Sequence, residues 1–327
     1  MEYIYSILFR VAVVLLIAFL VPKSLRNAIS AKLKNKLNNF HSKERGAYIA
    51  LALIYVFCLV VLYIFWYSKS GFVGFHLFDD KTEWLYLDKF GHIYASYFEA
   101  TLVYRSLIWA KTKKHKAIIV SVILALMFQM TIEIFDGYSE SWGFSIYDMI
   151  ANLLGVTAFI TQYALLKHQY FSLKFSFFLK NIERVILSSA QNAISTTTSR
   201  YSYLFGDSVL ERLVKDYNCQ TYWVSINMRL ITGIQLFPSW FNISFGYGAK
   251  NMLGGNSNNW YEGENLFSAA TALPRTPQVY IGFDLDLTSL NVTSTFLRNV
   301  LGYLNLIRCP LPTLKIENYK VISALII

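Results

Sequence analysis

The chain has 327 residues, 55% of them hydrophobic and only 15% charged, with a mean hydropathy of +0.38, more apolar material than a soluble domain of this length needs for its core. Its net charge of +10 gathers in clusters between apolar runs, not in a stripe interleaved with aromatics, which argues against a nucleic-acid surface. Cys58, Cys219 and Cys309 share no CxxC spacing, so neither a disulfide framework nor a zinc knuckle is indicated.

Arg10 splits the first apolar stretch, and the run VAVVLLIAFLV that follows reads as a signal anchor. Residues 46 to 67 are uncharged, are long enough to cross a bilayer, and close on Phe65, Trp66 and Tyr67. Three further helices are expected at about 91 to 110, 117 to 135 and 146 to 166. Seven Lys and Arg in residues 22 to 45 and four Lys in 111 to 116 mark cytoplasmic loops. The acidic segments 68 to 92 and 136 to 147 then face outward, and the C-terminal part is cytoplasmic.

Beyond residue 167 short alternating runs replace the long apolar ones. Strands are expected from Thr221, Trp240, Val279 and Thr313, and helices around 208 to 217 and 294 to 308, with 254 to 277 a long loop. The resulting expectation is a mainly α membrane protein of four or five transmembrane helices with a smaller C-terminal α+β domain of antiparallel strands. Its parts are an N-terminal anchor (1–67), a helical membrane domain with a polar site (68–167) and the α+β domain (168–327).

The chemistry-bearing residues fall on three helices: Asp88, Lys89 and His92; Glu133 and Asp136; and Ser145, Asp148, Asn152 and Gly155. Asp88 and His92 are four apart, Glu133 and Asp136 three, and Asp148 and Asn152 four, so each pair shares a helical face. All lie at the outward ends of their helices, where ionisable groups beside apolar segments pair with one another or mark function. In this reading His92 acts as general acid or base oriented by Asp88, with Glu133, Asp136 and Asp148 polarising water. Lys89, Asn152 and Glu99 are the binding residues, Glu99 lying deeper on the His92 face. His92, Glu133, Asp136 and Asp148 would also suit a divalent metal such as Mg, Mn or Zn, although no compact motif such as HExxH is present. The structural alternative is that Ser145 and Asp148 only cap a helix, that Gly155 only permits close packing, and that the polar groups glue helices together. His76 is a further candidate for the pocket, while Trp84, Tyr86 and Trp142 read as interfacial anchors.

The runs FHLFDDKTEWLYLDKFGHIYASY, IEIFDGYSESWGFSIYDMIANLLG, LVKDYNCQTYWVSIN and WFNISFGYGAKNM resemble a bacterial envelope family described as YfiM-like predicted periplasmic lipoproteins. The core DKxxH, ExxD, DxxxNxxG, carried here by Asp88, Lys89, His92, Glu133, Asp136, Asp148, Asn152 and Gly155, is also similar to VanZ-like membrane proteins, whose founding member is linked to glycopeptide resistance. The chain departs from the lipoprotein description in lacking a lipobox. The resemblance implies an envelope protein without assigning a reaction. Two functions follow: an enzyme or binder acting on a lipid-linked or envelope substrate at the periplasmic face, or a non-catalytic subunit of an envelope complex. The expected partners are the lipid bilayer and such a complex, not nucleic acid. The expected location is the bacterial inner membrane, multi-pass, with the outer membrane or a periplasm-associated position as the alternative.

Overall fold

The computed structural model describes residues 42–68, 70–166, 169–318 and 320–324. The first apolar run, most of the basic segment 22–45, His41, Lys167 and His168 lie outside them. Residues 53–327 form one compact unit.

Helix α1 (Ser42–Leu62) ends in a π-helical turn, Tyr63–Tyr67. Helices α2 (Leu87–Trp109), α3 (Lys114–Gly137) and α4 (Ile146–Ile160) follow as an up-down-up bundle. Helix α4 starts where it does because the Ser145 hydroxyl accepts the Asp148 N–H at 3.0 Å, with an acid in the first turn to complement the helix dipole. Helix α2 is the hub: its Tyr97 and Ala100 pack with Ala125 of α3, with Val156 and Phe159 of α4, and with Leu306. Gly155 lets α4 approach so closely that a Cβ there would lie 2.1 Å from the Ile93 carbonyl oxygen.

The rest of the chain supplies strands β1 (Phe171–Phe177), β2 (Ile186–Ser188), β3 (Ile194–Thr196), β4 (Gln220–Asn227) and β5 (Phe241–Lys250). After them come β6 (Asn259–Glu262), β7 (Asn265–Ser268), β8 (Thr276–Leu285), β9 (Thr313–Glu317) and β10 (Lys320–Ala324). Between the strands lie helices α5 (Thr197–Phe205), α6 (Val209–Lys215), α7 (Met228–Thr232) and α8 (Thr295–Leu304). The main sheet runs β1-β4-β5-β8-β9-β10 and is antiparallel throughout. The segment expected as a loop at 254 to 277 holds the β6–β7 hairpin, and the run from Thr313 divides into β9 and β10.

The sheet is turned inside out relative to an ordinary one. Ser172, Lys174, Ser225, Asn242, Gln278 and Asp284 on one face are buried, whereas Val224, Phe245, Val279, Phe283 and Leu314 on the other are exposed. Lys174 aligns through Trp223 and Gly246 with Tyr280, so Asp284 lies three strands across and four residues along. In a flat sheet that is roughly 19 Å, yet the Lys174 ammonium meets the Asp284 carboxylate at 2.7 Å with both side chains fully buried. The sheet therefore coils strongly around its polar face. Arg308 fills the same interior, with its guanidinium 3.8 Å from the Trp223 ring centroid and donating to Thr313 Oγ1 at 2.7 Å. The free edge of β1 is bridged by Ile307.

These features overturn the expectation of four or five membrane-spanning helices. Among the described residues two helices, Lys43–Leu62 and Lys114–Gly137, are long and apolar enough to cross a membrane. Helix α4, which runs on through a π-helical turn at Thr161–Leu165, is not among them. Helix α2 meets the C-terminal part of the chain at both ends: Tyr217, in the turn before β4, donates to Asp88 near its start, and Tyr303 of α8 pairs with Ser106 near its end at 3.2 Å. No bilayer can therefore separate the C-terminal strands from the polar end of the helices, as the loop-charge reading required. Apolar runs of this length also build buried helices, and composition alone does not tell the two apart.

Two substitutions test this packing. Gly155→Ala should cost about 1–3 kcal/mol by forcing α2 and α4 apart, read as a lowered unfolding midpoint. Lys174→Met should cost about 3–5 kcal/mol by stranding the Asp284 carboxylate, and Lys174→Met with Asp284→Leu should recover most of it. A single variant as stable as the parent would contradict the coiled-sheet ion pair.

Candidate functional site

The polar ends of α2, α3 and α4 meet at one end of the bundle. Asp88 and Lys89 lie in the first turn of α2 and His92 one turn on; Glu133 is in the last turns of α3, and Asp148 and Asn152 are near the start of α4. The up-down-up order brings the end of α3 beside the starts of its neighbours. The chain enters α2 through Trp84, Leu85 and Tyr86, three successive non-glycine residues at φ of 51°, 54° and 66°. Such a left-handed run costs on the order of 1–3 kcal/mol per residue and persists only where neighbours enforce it. Here the Trp84 N–H donates to the Gly255 carbonyl at 2.7 Å, and the Tyr247 hydroxyl donates to the Leu85 carbonyl at 3.0 Å.

At the centre is the Lys89 ammonium, 2.7 Å from Asp80, 2.7 Å from Asp88 and 2.6 Å from Asp148. Burial alone would lower its pKa, but the Asp88 and Asp148 charges raise it above the ordinary lysine value, so the group stays cationic. Asp148 moves up too, through burial first and then the Asp88 charge. Ser145 joins the loop to the helices: its hydroxyl donates to Asp80 at 2.6 Å and its N–H to Glu133 Oε2 at 3.0 Å.

His92 lies beside this centre. Its Nδ1 is 3.3 Å from the Asn152 side-chain oxygen, which accepts a hydrogen bond in the tautomer whose hydrogen is on Nδ1. Its Nε2 faces Asp148 Oδ1 at 3.7 Å, Glu133 Oε1 at 3.8 Å and Asp88 Oδ1 at 3.9 Å. These separations exceed the 2.7–3.2 Å typical of an N–H···O hydrogen bond. Glu133 Oε1 and Asn152 Nδ2 are buried without a hydrogen-bond partner. Tyr217 closes the site from the sheet side, donating to Asp88 Oδ1 at 2.6 Å. The arrangement can pass a proton through His92 or hold a cation between its Nε2 and the carboxylates.

The structure thus brings together Asp88, Lys89, His92, Glu133, Asp148 and Asn152, and sets two candidates apart. The Asp136 carboxylate turns to Tyr67, whose hydroxyl donates to it at 2.7 Å. Glu99, two turns or about 10 Å along α2 from His92, takes a hydrogen bond from Gln129 at 2.7 Å. His76 lies against Gly143. Trp84, read as an interfacial anchor, instead packs on Phe205 and Tyr217. Two participants escaped the helical spacing: Asp80, because it sits in a loop with no periodicity, and Tyr217, because it is 129 residues from its partner.

Glu83 stands at the loop side of the site, where Asn256 Nδ2 donates to its Oε1 at 3.0 Å. Burial, followed by the charges of Asp88 and Asp80, pushes its carboxyl up to about 7. An acid whose folded pKa is raised binds more protons folded than unfolded, so its contribution to stability falls as pH rises from about 4.5 to about 7. Glu83→Gln should flatten that part of the stability–pH curve; a wild-type slope in the variant would assign it elsewhere.

Residues 74–164 match the model of a family described as a predicted periplasmic lipoprotein (DUF2279), a span that holds every residue of the cluster except Tyr217. No curated protein and no solved structure matches the chain. The matched description is that of a cell-envelope protein, and it covers the helical layer carrying the site while stopping short of the sheet.

Proposed function

We propose that this chain is a bacterial cell-envelope protein whose His92 cluster binds or acts on a lipid-linked or other envelope substrate, with His92 as general acid or base. The observation that carries this reading is the meeting of His92 Nε2 with three carboxylates from three helices at 3.7–3.9 Å, none of them close enough for a hydrogen bond. Paired groups that served only to hold helices together would close such gaps. The pattern DKxxH, ExxD, DxxxNxxG gives further support through its likeness to VanZ-like proteins. The outward apolar faces of α1 and α3, with Phe57, Val60, Ile123 and Met127 exposed, suit attachment to a lipid bilayer.

A second reading has its own observation. The Lys89 ammonium ties the loop at Asp80 to α2 and α4, which is what a scaffold subunit of an envelope complex would need. Cells carrying His92→Gln, Glu133→Gln or Asp148→Asn in place of the wild-type chain separate the two. With each variant accumulating and folded, the chemical reading expects envelope-stress survival, glycopeptide challenge included, to fall to the level of the deletion. Wild-type survival in folded His92→Gln cells would leave the scaffold reading.

A further inference from the structure

His92 Nε2 stands 3.7–3.9 Å from three carboxylate oxygens, farther than a hydrogen bond to any of them. In the tautomer whose Nδ1 hydrogen points to Asn152 Oδ1, His92 presents its Nε2 lone pair to Asp148 Oδ1, Glu133 Oε1 and Asp88 Oδ1. A lone pair facing three carboxyl oxygens is repulsive unless a proton or a cation stands between them. An imidazolium N–H there would draw one carboxylate into hydrogen-bond range, and all three remain at 3.7 Å or more. Four carboxyl groups, those of Asp80, Asp88, Glu133 and Asp148, share the one ammonium of Lys89, which itself contacts three of them. Glu133 is 1% exposed, and its Oε1, aimed at the gap, has no hydrogen-bond partner. One ligand atom each from Asp88, His92 and Asp148 lies within 4.8 Å of the others. Metal–ligand bonds of about 2.1 Å at tetrahedral angles place ligand atoms about 3.4 Å apart, so the contacts of His92 Nε2 with Asp88 and Asp148 would contract by about 0.3–0.5 Å on an ion.

We propose that a divalent transition-metal ion of the Mn²⁺ or Zn²⁺ class binds between His92 Nε2 and the carboxylates of Asp88 and Asp148, with Glu133 Oε1 accepting a hydrogen bond from a water on the ion. One imidazole with oxygen ligands selects that class over soft, thiolate-seeking ions. Asn152, holding Nδ1–H, is the positioning residue that fixes the tautomer, and Lys89 limits the charge the ion must offset. Asp136, included when the ligand set is read from spacing alone, drops out, and Asp88 enters. The proposal rests on this cluster being the functional site, and it concerns what the site holds.

The test uses the full-length chain, chelator-treated and then titrated with Mn²⁺ alone, with bound and free ion followed by electron paramagnetic resonance. One equivalent should bind, with nitrogen hyperfine coupling from the imidazole. His92→Gln should abolish that coupling and weaken binding at least about tenfold, and Asp148→Asn should weaken it similarly, while Asp79→Asn, outside the cluster, should bind as wild type does. Circular dichroism and unfolding midpoints separate lost ligation from lost fold. Absence of saturable binding, or His92→Gln binding with unchanged affinity, overturns the metal. If His92→Gln still abolishes survival in cells under that result, the acid–base reading stands without the ion.

Discussion

One buried ammonium organises the polar end of the molecule. Lys89 reaches Asp80 from a loop, Asp88 from its own helix and Asp148 from α4, and its burial is tolerable only because all three carboxylates are within contact distance. Removing one member of such a set leaves the others desolvated and unpaired, which is where the energetic weight of a buried ion pair lies. Ser145 extends the arrangement: it caps α4, donates to Asp80, and offers its N–H to Glu133 of α3. Three helices and one loop therefore have their termini fixed by a continuous network, and His92 is held beside it with one face unsatisfied.

The sheet serves that site from a distance. Coiling around Lys174, Asp284 and Arg308 turns its polar residues inward and its aromatic and aliphatic residues outward. Part of the outward face then packs on α2, where Tyr222 approaches Gly91 and Phe175 stacks on Tyr94 at 5.5 Å. The turn before β4 delivers Tyr217 to Asp88, and Tyr247 of β5 braces the left-handed run at Leu85. The geometry around His92 is therefore held by elements on both sides of α2.

The same inversion explains how much apolar surface remains. Exposed Val224, Phe245, Phe283 and Leu314 on the sheet, and Phe57, Ile123 and Met127 on the helices, account for the chain's unusual hydropathy without four or five lipid-spanning helices. Counting apolar residues reveals the excess but not which element presents it.

Local spacing determined what helical periodicity can determine. The i,i+4 pairs Asp88–His92 and Asp148–Asn152 lie on single faces, Ser145 marks a helix start, and Gly155 marks a close approach, because a helix repeats every 3.6 residues whatever surrounds it. Asp136 shows the limit: it is three residues from Glu133, yet near the end of α3 its side chain finds Tyr67 instead. Which face of an alternating strand is buried, whether an apolar helix meets lipid or protein, and the arrival of Asp80 and Tyr217 at the site were decided only by tertiary structure. Those outcomes depend on contacts between residues far apart in the chain, such as Lys174 with Asp284 and Tyr217 with Asp88, whose free energies no local pattern encodes.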